Sequence, residues 1–190
     1  MFKELVLKNR SYRAFDESRP ISACDMRSLV ELARFVPSGM NKQPLRYRVV
    51  SDRTEGEAVL SLCRFAGLLP DVKLPPDGQH PTGYIVIYSD EQAGSPEPNI
   101  HKDTGIAAQT ILLGAAEAGF GGCMVGSFHP ERLRALFDTP VRYTPRLVIV
   151  LGKPAELVVL TDAKDGNVTY YRDKNNIHYV PKLKLEDVLL

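Results

Sequence analysis

The chain has 190 residues, 44% hydrophobic and 25% charged, with a formal net charge of +1. That composition suits one soluble domain spanning 1–190, with enough chain to close a sizeable core. Near-neutral charge excludes the basic field that draws proteins to nucleic acid or anionic membrane surfaces. No run of eighteen apolar residues is present to span a bilayer. Cys24, Cys63 and Cys123 are odd in number and far apart. They fit a reducing cytoplasm better than a disulfide framework or a Cys-rich metal site.

The opening stretch, MFKELVLKNRSYRAF, meets charges too early for a secretory signal. The pattern over 21–36 predicts an amphipathic helix: Ser22 as N-cap, Asp25 at the capping-box position, and Met26, Leu29, Val30, Ala33 and Val36 near one face. Pro37 stops it. The connection that follows, PSGMNKQP, holds more turn chemistry than a helix-to-strand link requires. A strand is expected over 47–51 and a helix over 55–65. Residues 67–82 carry four prolines and little periodicity, which predicts a long loop of the lid or binding kind.

A strand is expected over 83–88 and a loop over 90–100. The segment DTGIAAQTILLGAAEAG predicts a buried central helix, capped by Asp103 and ended by Gly119. A short helix at 129–137 starts with Pro130 at its first position. A buried strand over 147–151 ends at Gly152. The tail from 167 is rich in Tyr, Lys and Asn and closes on a short apolar run. Mixed element order without βαβ alternation predicts an α+β fold.

Several chemistries are absent. There is no P-loop, no HExxH and no GxSxG, and the four histidines are scattered, so no metal site is expected. The cluster GFGGCMVG follows a helix and has Met124 where a third glycine belongs, so it is not a dinucleotide fingerprint. With Gly119 as helix stop, Gly121, Gly122 and Gly126 remain. They serve either a tight turn into a strand or the close approach of a flat ligand. Arg10, Ser11 and Arg13 near the start, and Lys182 and Lys184 near the end, would suit a phosphate. Either group read alone is more often an ordinary solvated surface.

RSYRAF, PSGMNKQP, DTGIAAQTILLGAAEAGFGG and VIVLGKP occur in that order. Together they resemble the nitroreductase-like, FMN-dependent oxidoreductases, from about residue 10 to 184 and least over 54–100. The resemblance implies an α+β fold with a mostly antiparallel central sheet flanked by helices. It also implies an intertwined homodimer with FMN sites between subunits. Carried over by position, Arg10, Ser11 and Arg13 would hold the FMN phosphate and flavin edge, and Lys182 and Lys184 would complete the phosphate pocket. Pro37, Ser38, Gly39, Asn41 and Gln43 would come from the other subunit to line the flavin. Val125 and Gly126 would aim backbone N–H groups at its N5–O4 edge.

The activity implied is hydride transfer from NAD(P)H through flavin N5 to an electron-poor acceptor such as a nitroaromatic or quinone, with no obligatory side-chain acid. His101, His178 and the tyrosines read as surface or structural groups. The alternatives are other flavin chemistry on the same scaffold (flavin fragmentation, reductive dehalogenation), a flavin-storage protein, and a small interaction domain without cofactor. Two departures stand out. Asn9 occupies a position where many members carry Arg, and a helical insertion that roofs the pocket of larger members is missing, with the 67–82 loop in its place.

Overall fold

The computed structural model describes residues 2–69 and 72–190. In chain order it contains α1 (Phe2–Lys8), α2 (Ala23–Arg34), β1 (Leu45–Val50), α3 (Arg53–Ser61) and β2 (Gly83–Asp90). Next come α4 (Glu97–Glu117), β3 (Gly121–Val125), α5 (Pro130–Leu136) and β4 (Tyr143–Gly152). The four strands form an antiparallel sheet in the order β1-β2-β4-β3. Strand alternation sends Ile85 and Ile87 of β2 to one face, where α2 and α4 pack, and Tyr84, Val86 and Tyr88 to the other, under α3 and α5. Both faces are covered, so β2 is buried along its whole length. This is the α+β architecture expected.

Ser22 caps α2 as predicted. Its hydroxyl accepts the Asp25 N–H at 3.0 Å, while the Asp25 carboxylate accepts the Ser22 N–H at 3.3 Å. Met26, Leu29 and Ala33 form the buried stripe.

The central helix departs from expectation at its start and on one face. It begins at Glu97 behind Pro96, whose carbonyl accepts the Asn99 and Ile100 N–H groups, so the region expected as loop already holds a helical turn. Asp103 is therefore an interior residue, buried at 4% exposure, and not a cap. Nor is the helix buried all round. Ala107, Ala108, Ile111, Leu112 and Ala115 meet the sheet, whereas Ile106 on the opposite side is 41% exposed. Gly119, at φ 82°, ends it in the left-handed conformation a glycine tolerates.

The tail forms structure that its composition did not suggest. β5 (Val158–Asp162), β6 (Tyr171–Arg172) and β7 (His178–Lys182) make a second sheet in the order β5-β7-β6, with β5 and β7 parallel. Tyr171 stacks on Tyr179 with ring centroids 5.1 Å apart. The described part of the 67–82 stretch has no helix or strand, as predicted, and Pro70 and Asp71 lie outside the described residues. It is tied down where Gln79 O accepts the Phe15 N–H at 3.0 Å and Glu17 accepts the His80 N–H at 2.9 Å.

Candidate functional site

The N-terminal basic segment lies along the free edge of β3. Ser11 pairs with Gly122 in a parallel bridge, and Tyr12 N–H donates to Gly122 O at 3.0 Å. The bridge is parallel, so the segment passes Gly122 in the direction of β3, and from Ala14 it leaves that edge to pair with residues 153–155. Gly122 turns its carbonyl away from β4, and strand alternation puts Met124 on that same outer edge. Arg10, Ser11 and Arg13 thus lie beside Gly122 on the edge strand that ends at Val125, with Gly126 just past its end.

The glycines divide by role. A Cβ on Gly122 would stand 2.3 Å from Val150 O, and one on Gly121 would stand 2.5 Å from the Tyr12 ring. These two are glycine because the backbones and Tyr12 press against them. Gly126 is exposed and a Cβ there would meet nothing within 4 Å. Only Gly126 keeps the open approach that a flat ligand would use.

Arg13 is held from several sides. Its guanidinium donates to Ser11 O at 3.2 Å and lies 5.7 Å from the Tyr170 ring centroid. Tyr170 packs on His178 at 5.4 Å, and its hydroxyl accepts the Leu68 N–H at 3.4 Å. Burial, then the Arg13 and Arg172 charges, push the His178 imidazole down to about 4. Arg10 donates to Val6 O at 2.7 Å, and its Nε is buried without a partner among the described residues. Asn9 is buried and its N–H donates to Leu5 O, closing α1.

The two basic ends meet through residues the sequence did not nominate. His178, at the start of β7, faces Arg13, whereas Lys182 lies four residues farther along, about 13 Å of strand. Lys182 and Lys184 are exposed, and Lys184 N–H donates to Asp187 at 3.3 Å. Composition offered no signal for Glu156 or Tyr170, which meet Arg13 only across a long stretch of chain, or for Arg172, which reaches it through Glu156.

The 37–43 loop is built around Asp103. Its carboxylate accepts the Ser38 hydroxyl at 2.6 Å and the Gly39 N–H at 3.1 Å, and Ser38 Oγ in turn accepts the Gln43 N–H at 3.0 Å. Met40, Asn41 and Gln43 all hold positive φ, at 53°, 51° and 47°. Three non-glycine residues in that region cost roughly 1–2 kcal/mol each, so the segment is held against its own preference. A cleft of about 320 Å³ opens beside it, walled by α2, Pro37, Ser38, Gln43 and Tyr47. The loop enters β1, which lies three inter-strand spacings, about 14 Å, from β3. Within one chain the loop and the Arg13–Gly126 edge are therefore apart.

Burial raises the Cys123 thiol and pushes Cys63 up to about 12, so neither offers a thiolate. Among the described residues no group of three or more His, Cys, Asp or Glu side chains could hold a metal ion. Among them, too, no helix is long and apolar enough to cross a membrane.

A four-stranded antiparallel sheet between two helical layers, with an arginine-bearing N-terminal segment on one edge, is a fold shared with solved nitroreductase structures. An NAD(P)H:FMN oxidoreductase from Staphylococcus epidermidis superposes with a TM-score of 0.73 at 20% identity, covering 100% of this chain and 95% of that one. A nitroreductase from Exiguobacterium sibiricum, solved in complex with FMN, gives 0.69 at 19% identity, covering 82% of this chain and 89% of that one. In sequence, the chain is 26% identical to the NAD(P)H nitroreductase YodC of Bacillus subtilis, over 78% of this chain and 87% of that protein. The Nitroreductase family profile matches residues 6–153. The chain belongs to the nitroreductase family.

Proposed function

We propose that the protein is an NAD(P)H-dependent FMN oxidoreductase acting as one FMN-binding domain per chain in a homodimer. The observation that carries this is the free edge of β3, where the Arg10–Arg13 segment is bridged to Gly122 and the open backbone of Gly126 follows the strand end. The donor set suits a phosphate-bearing planar cofactor: Arg10 has a buried Nε without a partner among the described residues, Ser11 is exposed, and Arg13 is propped by Tyr170. FMN, when bound, would take hydride at N5 from a reduced nicotinamide and deliver it to an electron-poor acceptor such as a nitroaromatic or quinone.

The chain's residues would bind and orient. Arg10, Ser11 and Arg13 supply charge-assisted donors to the phosphate and flavin edge, with Lys182 and Lys184 adding charge from the chain end. Gly126 would present a backbone N–H to the ring, with Val125 fixing its place in the strand. A cation near the pyrimidine edge would favour negative charge there. Pro37, Ser38, Gly39, Asn41 and Gln43 would reach the ring of the opposite subunit, since they lie on the far edge of their own sheet. Dimerisation is further supported by exposed Phe35, Met40 and Ile106, apolar side chains at the loop and on the open face of α4.

Purified protein titrated with FMN, then mixed anaerobically with NADH or NADPH, tests the reading. Flavin binding followed by bleaching of its visible band is expected. A protein that takes up no FMN would refute it, and bound flavin that never bleaches would favour storage.

A further inference from the structure

We propose that Glu156 is a positioning residue for the FMN-binding segment, locked in place by a buried ion pair with Arg172. The inference rests on the FMN reading above and adds two residues that touch no cofactor. One Glu156 carboxylate oxygen accepts the N–H of Arg13 and, at 3.2 Å, that of Ala14. The other accepts from the Arg172 guanidinium, and both side chains are only 4% exposed. A single carboxylate therefore joins the segment after β4, the N-terminal segment and the short strand β6.

The surroundings show what this joint fixes. Ala155 N–H donates to Ala14 O at 2.9 Å and Asp16 N–H to Lys153 O at 2.8 Å, so residues 14–16 are already laid against 153–155. Glu156 extends that pairing by one residue, to Arg13. Two residues before Arg172, Tyr170 props the Arg13 guanidinium from the same small sheet. Backbone and side chain of Arg13 thus both meet residues that flank the C-terminal sheet, Glu156 before β5 and Tyr170 before β6.

A role in stability alone accounts poorly for the arrangement. Desolvating two charges offsets most of their attraction, and apolar replacements of such pairs often fold as well or better. An apolar pair, however, could not accept the Arg13 and Ala14 N–H groups. The acceptor is what the site needs; Arg172 keeps it buried, charged and aimed.

Two double variants separate the roles without stranding a buried charge. Glu156→Leu with Arg172→Met removes the pair and the acceptor. Glu156→Gln with Arg172→Met removes the charges and keeps an acceptor oxygen. Apoprotein would be titrated with FMN by flavin fluorescence, with thermal midpoints measured alongside. The Leu variant should fold and bind FMN at least about tenfold more weakly, in line with what losing a supporting partner costs at metal sites. The Gln variant should bind near wild type. A folded Leu variant with wild-type affinity overturns the proposal, as does a Gln variant that loses as much as the Leu variant.

Amide exchange on the wild-type apoprotein tests the same point without substitution. Arg13 and Ala14 should be protected before any FMN is added, and free exchange there also overturns the proposal. A wild type that binds no FMN would instead defeat the cofactor reading, while Arg13 and Ala14 protection would stay measurable.

Discussion

Gly122 and Gly126 lie four residues apart and should answer the same substitution in opposite ways. A Cβ at Gly122 meets backbone and the Leu112 and Leu151 side chains, so Gly122→Ala should lower stability by about 1–3 kcal/mol in chemical denaturation. Gly126→Ala meets open space and should leave the denaturation midpoint unchanged while weakening FMN binding, because the methyl group would stand where the ring approaches. His178 gives a second prediction at this scale. Its folded pKa is depressed from 6.5 to about 4. The stability tied to its neutral form is therefore complete above pH 6.5 and is lost as pH falls toward 4. Denaturation midpoints should drop across that window, and His178→Gln should flatten the drop.

Among elements, the 37–43 loop and the N-terminal half of α4 act as one unit. Asp103 sits inside α4, so the helix that packs on the sheet also fixes the loop. Asp103→Ala would leave the Ser38 hydroxyl and Gly39 N–H without their acceptor, costing about 1–3 kcal/mol locally and releasing the strained residues. Amide exchange should speed up over residues 38–44 while Ala107 to Ala115 stay protected; equal acceleration in both would mean the loop is not held this way. The cap role read from the sequence failed because local chemistry at DTG is that of an N-cap. Only the Pro96 turn upstream and the packing of Ile100 against the core carry the helix past it.

For the whole molecule, a site divided between two subunits predicts complementation. Arg13→Ala and Asn41→Ala should each weaken FMN binding as homodimers. Co-expressed, they form heterodimers in which one site carries both lesions and the other carries none, so tight flavin binding should reappear. Its failure to reappear in verified heterodimers would mean that both residues serve the same subunit's site.

The pattern of apolar residues determined α2, α5, the core strands and the α+β class, because helical and strand periodicities are local signals of burial. Capping and stop chemistry was legible too, at Ser22, Pro130 and Gly119. The motifs, through their resemblance to the nitroreductase family, also marked Arg13, Gly126 and the 37–43 loop as candidates. Tertiary structure decided the rest. Which glycine stays open depends on what packs against each one. Whether Asp103 caps a helix or clamps a loop depends on the turn that starts at Pro96. Glu156, just after β4, and Arg172, in the polar tail, are unremarkable in sequence and acquire a role only where folding removes them from water and pairs them beside Arg13.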